Sequence, residues 1–274
     1  MGLSLCLIGN SHVAAVKLAW SNRAPAVLPG FAIDFFSAGV RLMEHMELEG
    51  TTFVCKDDEL REKIAFTSGG LESIDLTKYD AFVVIGAGFG LDVSGVCDGY
   101  DLVSPTRAPE GTLISRSFLT ATIEANLESS LAMSIADKIK SVCDKPILLC
   151  AAPYLSERIL SEEQFRGQMR YEDFDFLNTV VAAAKEAGAR ISARHKLPLI
   201  WQKEETVGVP GFTKASYGLN PARFDMKISA PLEFDRRHGN EDYGYLMLMA
   251  MLREVHELTD GRVLANAPAE KKLA

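Results

Sequence analysis

Leu3-Ser4-Leu5-Cys6-Leu7-Ile8-Gly9-Asn10-Ser11-His12 decides the fold class of this chain. Leu3 to Ile8 is a short, nearly continuous apolar run, the pattern of a strand covered on both faces rather than one wetted on alternate residues. It stops at Gly9-Asn10-Ser11, and a helix-like mixture of Val13, Val16, Leu18 and Trp20 follows, closed by Pro25 and Pro29. A strand, a small polar turn and a helix form the opening unit of a parallel α/β sheet.

The rest of the chain repeats that alternation. Ala32–Ser37 reads as a second strand ending at Ala38-Gly39, and Ala81–Ile85 as the clearest buried strand, stopping at Gly86. Pro146–Cys150 and Leu197–Trp201 complete the strand series, while Thr51–Val54 reads either as an edge strand or as part of an insertion. Between them, Leu119, Ile123, Leu127, Leu131, Ile135 and Ile139 keep a four-residue spacing that predicts one long helix over 114–142. Phe174–His195 predicts a second, with Phe174, Leu177, Val180, Val181 and Ala184 inward. Near the end, Asn240 caps a helix whose first turn carries Glu241 and Asp242 and whose inward side is Tyr243, Leu246, Met249 and Leu252.

The expected architecture is therefore a doubly wound three-layer α/β sandwich with a mainly parallel central sheet. Right-handed crossovers then place the strand ends, including Ser11, Gly39 and Gly86, along one carboxyl edge, where open α/β sheets bind ligands. A single domain over 1–262 is expected, with loop insertions near 40–78, 88–112 and 204–232 and a disordered polar tail over 263–274.

Composition narrows the function. The chain has 274 residues, 47% of them hydrophobic, and a formal net charge of −8. It is long enough to bury a core without disulfides or a structural metal. The acidity disfavours a generic nucleic-acid or anionic-membrane surface. The five cysteines, Cys6, Cys55, Cys97, Cys143 and Cys150, are scattered and form no Cys-x-x-Cys pair, which favours a reducing compartment. No signal-peptide pattern and no spanning stretch is present, so a cytoplasmic location is expected. Met1-Gly2 is followed at the sixth position by Cys6 rather than Ser or Thr, which fails the myristoylation pattern. Gly86-Ala87-Gly88-Phe89-Gly90 lacks the third glycine of a dinucleotide fingerprint, there is no P-loop, and no cofactor or metal is expected.

The chemistry lies at the two ends of the chain. Ser11 stands at the strand-to-helix turn, and Asp235-Arg236-Arg237-His238 comes more than 220 residues later. A hydroxyl needs an adjacent base near neutral pH, and the base needs an orienting group. Two readings of Ser11 compete: a helix N-cap and a nucleophile. Only the second gives a use to an Asp-x-x-His elsewhere, with His238 as base and Asp235 as its orienting acid.

These blocks resemble the SGNH (GDSL-like) hydrolases. Gly9-Asn10-Ser11 is similar to that family's first block, usually Gly-Asp-Ser, and Asp235-x-x-His238 to its last. The resemblance implies a flavodoxin-like sheet and an acyl-enzyme on Ser11. It also implies an oxyanion site made by Ser11, Gly39 and position 88, and an ester substrate, often an acetylated carbohydrate or lipid. In this chain the third block, Gly-x-Asn-Asp, reads Gly86-Ala87-Gly88-Phe89, so the side-chain donor at 88 is absent. Asn10, another side chain or the Gly88 backbone is left to compensate, and acyl transfer or binding beside polysaccharide biosynthesis stays open beside hydrolysis. Asn10, His12, Phe89 and Arg236 are the remaining candidate substrate contacts, with a solvated loop as the competing account of Arg236 and Arg237.

Overall fold

Leu3–Gly9 forms the central strand, β1, in the computed structural model, which describes residues 2–23, 28, 30–93, 100–102, 111–162, 174–223 and 235–259. Parallel neighbours lie on both sides of it, β2 (Phe31–Ser37) and β3 (Ala81–Ile85), followed beyond β3 by β4 (Ile147–Cys150) and β5 (Leu199–Ile200). The order β2-β1-β3-β4-β5, parallel throughout, is the doubly wound arrangement expected. The chain first steps from β1 to β2 and then returns to the other side at β3. A crevice therefore opens at the carboxyl end of β1, where Ser11 begins the next element.

Among the described residues, the longer helices that cover the sheet are α1 (Val13–Arg23), α2 (Asp58–Ser68), α3 (Arg116–Glu128), α4 (Leu131–Lys140), α5 (Phe174–His195) and α6 (Glu241–Leu258). Strand alternation sorts their partners. Leu5, Leu7, Val83, Ile85 and Leu148 pack with α1 and α6, whereas Cys6, Ile8, Phe82, Val84 and Leu149 pack with α2 to α5. Leu5, Leu7 and Ile8 are at most 1% exposed, each side chain contributing about 1.5–3 kcal/mol by burial. That double coverage is why the sequence of β1 is apolar on both faces.

The expected helix over 114–142 is two helices. Ser129 closes α3, and the Ser130 hydroxyl accepts the Met133 N–H to start α4. The four-residue spacing runs through the break because Leu127, Ile135 and Ile139 all reach the same core. The break has a use: the Ala132 N–H, in the first turn of α4, is donated at 3.0 Å to the carbonyl of Ala87, beside β3's end.

One helix face is rotated from expectation and another departs from it at its first residue. In α6 the buried side is Tyr243, Gly244, Met247, Leu248, Met251, Leu252 and Val255, with Leu246 and Met249 only half-buried. Gly244 sets this, because a Cβ there would lie 2.0 Å from the Ala15 carbonyl oxygen of α1. In α5, Leu177, Val180 and Ala184 are buried as expected and Val181 is half-buried against the core, but Phe174 is 53% exposed and Phe176, Ala183, Ala187 and Ile191 also point inward. Thr52–Cys55 is the middle strand of a small antiparallel sheet between Met46–Glu49 and Ile74–Asp75, so it is neither an edge nor part of the main sheet. Among the described residues no helix is long and apolar enough to cross a membrane. Pro25, Pro29, Cys97, the tail over 263–274 and parts of the loops 88–112 and 204–232 lie outside the described residues.

Candidate active site

Ser11 is held at the carboxyl end of β1 by its neighbours. A Cβ on Gly9 would lie 2.2 Å from the Ile85 carbonyl oxygen, so only glycine lets β1 end this close to β3. The turn is closed by the Asn10 carbonyl, which accepts from Val13 N at 3.0 Å, and by the Ser11 carbonyl, which accepts from Ala14 N at 3.1 Å. Just before α1, Asn10 Oδ1 accepts the His12 N–H at 3.3 Å, an Asx-type turn. Ser11 Oγ has no capping bond and instead stands 2.8 Å from His238 Nε2.

His238 and Asp235 arrive on the segment that leads into α6. His238 Nδ1 is 3.0 Å from Asp235 Oδ1, and that same oxygen accepts the N–H groups of Arg237 at 2.6 Å and His238 at 2.9 Å. The segment is pinned on three sides. Asp235 N–H is donated to Gly218, Asn240 N–H to Tyr217, and Ser156 N–H to Arg236. Asn240 caps α6 by accepting from Tyr243 N at 3.1 Å, as its sequence position suggests. Burial works to raise the Asp235 carboxyl, but the hydrogen bonds from His238 and from backbone N–H groups outweigh it and hold the group well below the usual carboxylate range. Arg223 adds an ion pair to Oδ2. An ionised carboxylate only accepts, so Nδ1 carries the ring proton and Nε2 is left as the acceptor facing Ser11 Oγ.

The remaining sequence candidates divide by location. Gly39 precedes the short helical turn Val40–Met43, next to the end of β1, where Ala38 N–H is donated to the Gly9 carbonyl. Neither the Ser11 nor the Gly39 N–H is donated to a protein acceptor among the described residues. A cavity of ≈ 200 Å³ opens at the site, lined by Asn10 and His12 from either side of Ser11, by Val40, and by Gly88, Leu91 and Arg237. Phe89 is elsewhere. It is 1% exposed in the core, with its ring 6.4 Å from that of Trp201, and cannot meet a ligand there without leaving that packing. Arg236 turns to Glu162, with Nε 3.1 Å from Oε1, and it is Arg237 that lines the cavity.

His12 is neutral in this setting. Burial, with His238 and Arg237 beside it, pushes its ring down to about 3, against the opposing pull of Asp235. Its Nδ1 is sealed from solvent and has no hydrogen-bond partner among the described residues, and its ring centroid is 5.3 Å from that of His238. Gly86 makes room for it: φ is +63°, and a Cβ would lie 2.8 Å from His12 Cδ2 and 2.7 Å from Asn10 Oδ1. The sequence gives no signal for Arg223, which lies in a loop with no motif spacing. The adjacency of Arg236 and Arg237 gives no means of telling which one turns inward.

No family model matches the chain, and no curated protein matches it. Among solved structures it is similar to the lipopolysaccharide acetyltransferase periplasmic domain of Salmonella ser. Paratyphi A, at 8% identity over 93% of this chain and 84% of that one, TM-score 0.42. It is also similar to a putative acylhydrolase from Bacteroides fragilis, at 9% identity over 93% and 88%, TM-score 0.38. A GDSL-like lipase from Bacteroides thetaiotaomicron matches at 10% identity over 93% and 88%, TM-score 0.38. Identities this low say nothing of individual residues.

Proposed function

We propose that this chain is an SGNH-type serine acyl hydrolase, taking short acyl esters, acetyl esters of carbohydrates among them, through an acyl-enzyme on Ser11. The observation that carries the reading is the unbroken proton path Ser11 Oγ–His238 Nε2 and His238 Nδ1–Asp235 Oδ1, at 2.8 and 3.0 Å, assembled from residues 227 positions apart.

In the first step Ser11 Oγ attacks the ester carbonyl carbon while its proton passes to His238 Nε2. The carbonyl electron pair moves onto oxygen, where the N–H groups of Ser11 and Gly39 stabilise it. Collapse restores the carbonyl, and His238 protonates the departing alcohol. A water then repeats the attack on the acyl-serine, giving up its proton to His238 and releasing the acid. Asp235 keeps the Nδ1–H tautomer throughout and stabilises the imidazolium without taking its proton. The small cavity, with Val40, Leu91, Ala152, Pro153 and Leu155 in its wall, suits a short acyl chain.

The test is turnover of short-chain 4-nitrophenyl esters by the wild type and Ser11→Ala. Loss of turnover in the variant is expected, and equal rates would overturn the reading. Product analysis with and without a sugar acceptor separates hydrolysis from transfer, since an acyl-enzyme discharged only by the sugar would replace the hydrolase assignment with a transferase one.

A further inference from the structure

Of the residues lining the cavity, Asn10, His12 and Arg237 carry side-chain N–H donors or can carry them. Arg237 is exposed and lies 3.4 Å from Asp92, whereas Asn10 is buried, at 5% exposure. The Asn10 carboxamide has a fixed orientation. The backbone N–H of His12 requires an oxygen opposite it, so Oδ1 faces His12 and Nδ2 faces away. Nδ2 is donated to no protein acceptor among the described residues. Asn10 Nδ2 is not among the unpartnered atoms sealed from solvent, so the donor is open to whatever occupies the cavity that Asn10 lines.

The surroundings of the carboxamide are shaped for it. Gly86 has no side chain where one would press on Asn10 Oδ1. At Gly88, which also lines the cavity, a Cβ would make ordinary contact with Ser130 Cβ at 3.6 Å and Leu131 N at 3.8 Å, so a side chain there meets no clash, although φ is +81°. One side of the cavity thus lacks a side-chain donor, and the residue preceding the nucleophile supplies one.

Resting on the acyl-enzyme reading, we propose that Asn10 Nδ2 is the side-chain donor to the oxyanion, in place of a carboxamide at residue 88. The two departures at positions 10 and 88 are then one relocation. As Ser11 Oγ adds to the ester, the carbonyl electron pair moves onto oxygen and Nδ2–H strengthens its hydrogen bond to it. No bond to Asn10 forms or breaks, and the pair returns to the carbonyl when the alcohol leaves. Oδ1 holds the group in place through His12 N, so the donor needs no reorganisation during the reaction.

The experiment measures kcat and KM for 4-nitrophenyl acetate in Ser11→Ala, Asn10→Ala, Asn10→Asp, Gly88→Asn and the double variant Asn10→Asp/Gly88→Asn, with urea unfolding of each as a check on folding. Asn10→Asp keeps the acceptor for His12 N, removes the donor and adds a charge, whereas Asn10→Ala removes the donor with no charge, so a loss shared by both is the informative result. Asn also tolerates the φ of +81° at residue 88 better than most side chains. The expected result is a loss of about 100- to 1000-fold in kcat for both Asn10 variants, with KM nearly unchanged. Adding Gly88→Asn to Asn10→Asp recovers at least about tenfold of that, as part of the same donor's worth. Full kcat in the Asn10 variants while Ser11→Ala is dead overturns the proposal and leaves the acyl-enzyme reading standing. A loss confined to KM, or one that Gly88→Asn does not repair, overturns it as well. Turnover undiminished in Ser11→Ala overturns both.

Discussion

His12 makes the stability of this protein depend on pH in a window where few other groups contribute. In the unfolded chain its ring takes a proton below about 6.5, the ordinary value. In the folded state burial, with His238 and Arg237 alongside and only Asp235 opposing, pushes it down to about 3. Between those values the unfolded state binds the extra proton, so stability falls as pH falls. The loss is absent at pH 8 and grows by about 1.4 kcal/mol per unit below 6.5, reaching about 2 kcal/mol at pH 5. Local rearrangement around a protonated ring can only make it smaller. Asp235 does not overlap this window. Its folded value lies below its ordinary one of 3.8, so its contribution is complete above that value and is lost only as pH falls further. The assay is urea unfolding of the wild type and His12→Gln at pH 8, 7, 6 and 5. The wild-type stability, taken relative to the variant, should drop by about 2 kcal/mol across the series. Parallel curves would show that the folded His12 titrates normally, and the account of its environment would be wrong.

Two other changes test the machinery. Asp235→Asn replaces the charged acceptor of His238 Nδ1–H with an amide that permits the wrong tautomer, and kcat on a short ester should fall by about 10⁴ at neutral pH. A loss below tenfold would remove Asp235 from its orienting role. Gly86→Ala forces a side chain onto a φ of +63° and presses its Cβ to within 2.8 Å of both Asn10 and His12. It should cost at least about 1–3 kcal/mol in urea unfolding and lower kcat as well, and stability within 0.5 kcal/mol of wild type would contradict the packing described.

What the sequence made legible was whatever depends on short-range pattern. β1 and β3 could be read because strands covered on both faces are apolar at every position, as Leu5 to Ile8 and Ala81 to Ile85 are. The Asn240 cap and the three-residue spacing of Asp235 and His238 are local and were equally readable. What failed depends on what lies across the gap between elements. Periodicity alone joined α3 to α4, because both helices bury the same kind of residue against the same core. The signal that separates them, Ser129-Ser130, is a capping pair and not a change of period. The α6 face turned on Gly244 meeting Ala15, a contact between residues 229 positions apart.

The same distinction explains why Ser11 was ambiguous and how the folded chain resolves it. A serine at the start of a helix has two uses for one hydroxyl, and in the sequence only the distant Asp235-x-x-His238 favours the nucleophile over the cap. In the folded chain the first helical N–H groups go to backbone carbonyls, Val13 N–H to Asn10 and Ala14 N–H to Ser11, and Ser11 Oγ stands 2.8 Å from His238 Nε2. An aspartate at position 10 would accept the His12 N–H as well, but only an amide has a second end with N–H to offer. On the proposed reading, Asn10 holds its amide with one end and offers the other as a donor where residue 88 has no side chain.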